Sequence, residues 1–214
     1  MNKESETELI SLSTNLGEAA LDSLLKDGLF KDIPVIGSLL SIGKLTKSVC
    51  DILLLKRILI FINELHIKDQ RDIDELKEKY FKDEDFQEIG SKILFLLERA
   101  DDAKKIGWQA KLFRIYLDGK ISKSKYMRLS SLIANSFAPD AEQISIFLNK
   151  KSITSNNGRI DHYVLEHLFS IGLISNAGFD GGDAAGNNSG VIYQLNDFGK
   201  IFLYQVLRSQ NSPN

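Results

Sequence analysis

Residues 33–65 read IPVIGSLLSIGKLTKSVCDILLLKRILIFINEL and form the most apolar part of the chain. Charged side chains interrupt the stretch at Lys44, Lys47, Asp51, Lys56, Arg57 and Glu64. No uncharged run within it reaches the roughly 18–20 residues that a membrane-spanning helix needs. The stretch therefore predicts a helix that is buried in a core, that docks against a partner, or that lies on a membrane surface.

The composition is that of an ordinary globular protein. Of 214 residues, 43% are hydrophobic and 26% are charged, which is close to the average for folded domains. The single cysteine, Cys50, excludes an internal disulfide and an all-cysteine metal site. Because the first residues, MNKESETELI, are polar and acidic, they do not resemble a secretory signal. We expect a cytoplasmic protein, with a peripheral position at the inner face of the membrane as the alternative.

Charge is segregated along the chain although the net charge is only −2. Counting side chains gives −4 for residues 1–30, +3 for 31–68, −6 for 69–102, +8 for 103–159 and −3 for 160–214. Neighbouring blocks of opposite sign indicate either internal complementarity or a basic block that faces an anionic partner.

Apolar residues spaced three and four apart predict helices over most of the first 150 residues. The inward positions are Ile89, Ile93, Leu96 and Leu97 in one helix, Ile106, Ala110, Phe113 and Leu117 in the next, and Tyr126, Leu129 and Ile133 in a third. Trp108 lies outside the second stripe. Asp118-Gly119 predicts a turn, Ser122 a helix N-cap, and Pro139 the start of another helix.

The pattern changes after residue 150. Residues 152–158 predict a polar linker, and residues 159–171 predict a helix that Gly172 ends. A glycine- and asparagine-rich loop over 179–190 precedes Val191–Leu195, which alternates like a strand. Asn196 is placed to cap a last helix.

Helix, strand, loop, strand and helix follow one another in the second half of a winged helix. The segments LFSIGLIS, residues 168–175, and YQLNDFGKIF, residues 193–202, resemble winged-helix domains of bacterial regulators and adaptors. The predicted fold is mainly α: a helical bundle with a C-terminal winged-helix-like unit, about residues 139–214, that contains one short β-hairpin. The predicted domains are 1–102, which includes the apolar helix 33–65, and 103–214; one compact unit is the alternative.

The sequence lacks the residue spacings that metal sites and catalytic sites require. His162 and His167 are five residues apart, which turns their rings roughly 140° away from each other on a helix, so they do not form a zinc pair. The sequence around Gly119 places Lys125 where a calcium loop needs its glutamate. Asp180 and Asp183 lie in the glycine-rich loop, which has no rigid flank to position them. We expect no catalytic residue, no cofactor, no metal and no small-molecule substrate.

Three functions remain open. The first is a non-enzymatic interaction module or accessory subunit that docks a protein partner, or a second copy, through helix 33–65. The second is a membrane-acting helical protein, because lysine and arginine favour anionic lipid. The candidate contacts for either partner are Lys44, Lys47, Lys56 and Arg57.

The third is a winged-helix DNA-binding regulator, whose phosphate contacts would be Lys150, Lys151 and Arg159. Against this third function, residues 161–171 carry no lysine or arginine to read guanine edges.

Two segments carry a further resemblance. Residues 29–61, LFKDIPVIGSLLSIGKLTKSVCDILLLKRILIF, resemble the opening of a group of small bacterial helical proteins, which share an acidic-Ile-Pro-Val-x-Gly start and an Asp-x-x-Leu-x-Lys-[Lys/Arg] run. Residues 111–133, KLFRIYLDGKISKSKYMRLSSLI, resemble the second block of that group. The resemblance implies a bacterial setting, on a mobile element or in phage defence, and implies no reaction.

Overall fold

The computed structural model describes residues 49–65, 84–182 and 189–208. These residues are mainly helical and include one three-stranded antiparallel sheet. The chain divides into two compact units, Met1–Arg99 and Ala100–Asn214. Since compactness does not show that each part folds alone, the predicted domain boundary after residue 102 stays a prediction.

In the first unit the structure describes two helices, α1 (Val49–Glu64) and α2 (Glu84–Glu98). The predicted apolar helix is confirmed over α1, and residues 33–48 lie outside the described part. The helices bury the expected apolar stripes, which are Ile58, Phe61 and Leu65 on α1 and Ile89, Ile93, Leu96 and Leu97 on α2.

The second unit begins with four helical segments: α3 (Ala103–Leu117), α4 (Lys123–Asn135), α5 (Ala138–Glu142) and a 3-10 helix (Gln143–Asn149). Two caps set where the longer helices start. The side chain of Asp102 accepts a hydrogen bond from the backbone N–H of Lys104, and Ser122, as predicted, accepts one from Lys125. The predicted turn at Gly119 is also confirmed, since this residue has a φ of 71°.

Helix α3 is the centre of the second unit, and most of its circumference is buried. The predicted stripe of Ile106, Ala110, Phe113 and Leu117 is buried, and so are polar positions beside it. Trp108 is also buried, at 2% exposure, where its ring meets Phe202 edge to face at 5.1 Å. An apolar stripe on α3 alone did not reveal this burial, because packing on a second side of the helix comes from the distant C-terminal segment.

The sheet consists of β1 (Ile153–Thr154), β2 (Ile174–Asp180) and β3 (Gly190–Leu195), in the order β1-β3-β2. Tyr193 of β3 pairs with Ile153 on one side and with Asn176 on the other. The predicted hairpin is confirmed. The prediction of a linker over 152–158 was wrong in part, because a two-residue strand forms there once β3 supplies its hydrogen bonds. The predicted loop over 179–190 is shorter, since strand β2 extends to Asp180 and β3 begins at Gly190.

Helix α6 (His162–Ser170) lies between β1 and β2 in the chain, and α7 (Asp197–Ile201) with a π-helical turn (Phe202–Leu207) follows β3. Gly172, with φ of 84°, ends α6 as predicted. Asn196 caps α7 by accepting from the N–H of Gly199. Gly199 is required by space: a Cβ there would lie 2.0 Å from the carbonyl oxygen of Leu173.

Candidate functional site

The first candidate surface is on α1, where the sequence placed partner contacts. Leu53 is 46% exposed although Ile58 and Phe61 on the same helix are buried. Lys56 is half-buried. Lys44 and Lys47, the other two predicted contacts, lie outside the described residues.

Arg57 has an internal role that the sequence did not indicate. Its guanidinium donates to the carbonyl oxygens of Leu97 at 3.3 Å and Glu98 at 2.5 Å, at the C-terminal end of α2. Carbonyls at the end of a helix lack intrahelical donors, and a cation there also complements the helix dipole. Arg57 thus ties α1 to α2, and its contact with a partner stays a prediction.

A polar cavity of ≈ 440 Å³ is lined mainly by the turn between β1 and α6. Its walls are Gln143, Ser155, Asn156, Gly158, Arg159, Ile160, Asp161 and His162. Asn157 holds the turn, because its amide donates to the carbonyl of Thr154 and accepts from the N–H of Arg159. Of the three predicted nucleic-acid contacts, Arg159 lines this cavity and the other two, Lys150 and Lys151, do not. Asp161 places a carboxylate in the same wall, so the cavity is of mixed charge.

The two histidines of α6 have different partners. Nδ1 of His167 lies 2.6 Å from Oδ2 of Asp140, which joins α6 to α5. His162 Nε2 lies 3.6 Å from Oε1 of Glu166 on the outer face of α6. The two rings therefore lie in separate environments on α6.

The outer face of α6 carries exposed aromatic residues. Tyr163 is 66% exposed, and its hydroxyl donates to Oδ2 of Asp161 at 3.1 Å. This hydrogen bond to a carboxylate raises the pKa of Tyr163. Phe169, 44% exposed, lies toward the other end of the helix.

Tyr193 of β3 links this helix face to the sheet. The tyrosine is buried, its hydroxyl donates to Oε1 of Glu166 at 2.5 Å, and its ring centroid lies 5.9 Å from that of Phe169. Burial raises the pKa of Tyr193 to about 12, and the hydrogen bond to Glu166 acts in the same direction. The position of α6 on the hairpin is therefore fixed by a polar and an aromatic contact together.

A buried polar layer between α3 and α4 escaped the sequence analysis. Nζ of Lys105, 3% exposed, lies 3.1 Å from the carbonyl oxygen of Ala134 and 2.8 Å from Oδ1 of Asp101. Gln109 donates from Nε2 to the carbonyl oxygen of Ser130 at 2.7 Å. The hydrogen bond from Lys105 lowers the pKa of Asp101. These contacts hold two helices together, and none of them lies in the cavity beside Arg159.

Nowhere among residues 49–65, 84–182 and 189–208 do three or more histidine, cysteine, aspartate or glutamate side chains gather so as to hold a metal ion. None of their helices has the length and apolarity to cross a membrane.

No family model, no curated protein and no solved structure matches this chain. The resemblances to winged-helix domains and to a group of small bacterial helical proteins therefore stay predictions.

Proposed function

We propose that this protein is a non-enzymatic interaction module, an accessory subunit that docks a protein partner through the apolar helix 33–65. The observation that supports the proposal is the exposure of Leu53. Leu53 is 46% exposed in a helix whose later apolar residues are buried, so its side chain is accessible to a partner. The resemblance of residues 29–61 and 111–133 to small bacterial helical proteins supports a bacterial setting, on a mobile element or in phage defence.

Over its described residues, α1 differs in burial from one end to the other. Its C-terminal half is packed, with Ile58, Phe61 and Leu65 each at most 3% exposed. Arg57 is engaged with the end of α2. Leu53 and the half-buried Lys56 are thus the described residues on which the docking proposal depends, and Lys44 and Lys47 extend it toward the start of the helix.

The test is the mass of the full chain in solution, measured by light scattering, together with identification of any protein that co-purifies. We expect self-association or a stoichiometric partner that Leu53→Glu removes, because a charge cannot be buried unpaired in an apolar contact. Phe137→Glu is the matched control, since Phe137 is 59% exposed and lies in the other unit. A strict monomer with no associated protein would contradict the proposal.

A winged-helix nucleic-acid-binding protein is the second candidate. The succession α6, β2, loop, β3, α7 supports it, because this is the order of elements in the second half of a winged helix. Arg159 in the cavity wall, together with Lys150 and Lys151 just before β1 in the chain, supplies positive charge. Retention on heparin and a mobility shift at low salt test this candidate, since phosphate contacts weaken steeply as salt rises. A chain that passes through heparin unretained and shifts no DNA rules it out.

A further inference from the structure

The residues from α6 through the first half of α7 are unusual in charge. Residues 160–199 contain no lysine and no arginine. They contain five acidic residues: Asp161, Glu166, Asp180, Asp183 and Asp197. The basic block of residues 103–159 ends immediately before this stretch.

The same stretch exposes large aromatic side chains. Phe179 on β2 is 73% exposed, and Phe169 on α6 is 44% exposed. Val191, which pairs with Phe179, is half-buried. Large apolar groups that stay in water in a folded chain mark an interaction site when they form one continuous patch.

Strand register shows that these groups share one side of the sheet. Residues directly paired across an antiparallel ladder point to the same side, as do residues two apart on one strand. Phe179 pairs with Val191, and Val191 is two residues from Tyr193. Because Tyr193 contacts Phe169 and Glu166, this is the side on which α6 lies.

We name this surface the acidic-aromatic patch: Phe169, Phe179 and Val191, with Glu166 beside Phe169 on α6. We propose that it binds a basic segment of a partner protein, in which lysine or arginine residues accompany an apolar anchor. This inference rests on the proposed function only in that the protein acts by binding protein. It uses a different surface from α1.

Charge complementarity decides the class of partner. With the carboxylate of Glu166 beside the aromatic rings and no lysine or arginine within residues 160–199, the patch favours lysine and arginine over phosphate and anionic lipid. The carboxylate of Glu166 accepts one hydrogen bond from Tyr193, and a carboxylate has lone pairs for further donors. The exposed ring of Phe179 offers a face on which a guanidinium can stack.

The probes are two synthetic peptides, one of alternating lysine and leucine and one of alternating glutamate and leucine, each titrated against the full chain. We expect the lysine peptide to bind, with affinity that falls as salt is raised, and the glutamate peptide not to bind. Phe179→Ser should weaken binding about tenfold, and Glu166→Gln should reduce its salt dependence while an amide oxygen still accepts from Tyr193.

Phe137→Ser is the control for a general loss of exposed aromatic surface. Phe137 precedes α5, which contacts α6 through His167. His167 is two positions from Phe169, roughly 200° around the helix, so α5 lies on another side of α6. Phe137→Ser should bind the lysine peptide as the wild type does.

Equal binding of both peptides, or an affinity unchanged by Phe179→Ser, would overturn the inference. Binding of duplex DNA that Phe179→Ser abolishes would overturn it as well, in favour of a nucleic-acid site. Leu53→Glu separates the two proposals. If the wild-type chain is a monomer with no associated protein, and both the wild type and Leu53→Glu bind the lysine peptide, docking through α1 fails and the acidic-aromatic patch stands. If Leu53→Glu removes a partner or self-association seen with the wild type, and neither peptide binds the wild type, docking through α1 stands and the acidic-aromatic patch fails.

Discussion

Lys105 is the residue whose environment is hardest to anticipate. Its ammonium group is buried beside the carbonyl oxygen of Ala134, twenty-nine residues away, and beside Asp101 one helical turn earlier. A lysine is rarely buried without such partners, because removing the charge from water is costly. The hydrogen bond to Ala134 thus connects the start of α3 to the end of α4, and Asp101 balances the buried charge.

Lys105→Ala should lower the free energy of unfolding by roughly 2–4 kcal/mol, because it removes a charge-assisted hydrogen bond and leaves a cavity in the buried layer. Lys105→Met should cost less, since the methionine fills most of the same space. Fluorescence of Trp108 during urea unfolding measures both changes, because Trp108 is the single tryptophan of the chain and is buried in the second unit.

Lys104→Ala is the control for this prediction. Lys104 pairs with Glu142 at 2.8 Å, but both side chains are 42% exposed. Exposed ion pairs contribute about 0–1 kcal/mol. If Lys104→Ala and Lys105→Ala had equal effects, the buried layer would not contribute the stability that its geometry indicates.

At the scale of elements, the hairpin is attached to the turn after β1 at Gly190. Ser155 donates from its backbone N–H to the carbonyl of Val191, and its hydroxyl accepts from the N–H of Val191. A Cβ on Gly190 would lie 2.1 Å from Oγ of Ser155. Glycine is therefore needed both for its φ of 122° and for this close approach.

Gly190→Ala should destabilise the second unit more than Gly178→Ala. Both glycines have positive φ, of 122° and 124°, so both substitutions add backbone strain of about 1–3 kcal/mol. Only Gly190 also meets a neighbour, since nothing lies within 4 Å of a Cβ on Gly178. Thermal unfolding followed by Trp108 fluorescence compares the two variants.

The Ser155→Ala background isolates the steric part of that difference. Removing Oγ takes away the atom that the new Cβ meets, so Gly190→Ala should cost less there than in the wild type. An equal cost in both backgrounds would show that strain at φ, and not the contact with Ser155, accounts for the effect.

At the scale of the whole molecule, the chain divides after Arg99. The second unit has its own core, in which Trp108, Tyr126, Leu129, Phe147 and Phe202 are each no more than 2% exposed. A fragment of residues 100–214 is long enough to bury such a core without help.

We expect this fragment to unfold cooperatively in urea, with Trp108 fluorescence and far-ultraviolet circular dichroism changing together. It should also bind the lysine–leucine peptide as the full chain does, because the acidic-aromatic patch lies entirely within it. A broad, non-cooperative transition would show that the second unit requires the first, in favour of the predicted alternative of one compact unit.

Local patterns predicted much of what is described. The stripe of Ile106, Ala110, Phe113 and Leu117 defined the core side of α3, and Ser122 and Asn196 marked helix starts. These predictions depend on periodicity and on hydrogen bonds within a few residues. The exposed leucine of α1, Leu53, was not among the predicted contacts.

The remaining features depend on residues far apart in the chain. Strand β1 exists because β3, about forty residues later, supplies its hydrogen bonds. Phe179 and Phe169 lie on the same side of the sheet because Phe179 pairs with Val191 and Phe169 contacts Tyr193. Arg57 donates to a carbonyl at the C-terminal end of α2, whereas the sequence analysis placed it among the partner contacts. A sequence pattern does not reveal such pairings, since neither of the two paired segments has an unusual composition by itself.

The sequence by itself determined the helical class, the positions of the hairpin and of several helix ends, and the charge of each segment, because these follow from nearest-neighbour geometry and from side-chain chemistry. Only the tertiary structure decided which polar groups are buried together, which aromatic rings stay in water, and on which side of the sheet they meet. Those outcomes depend on contacts between distant segments, whose free energies exist only after the chain has packed.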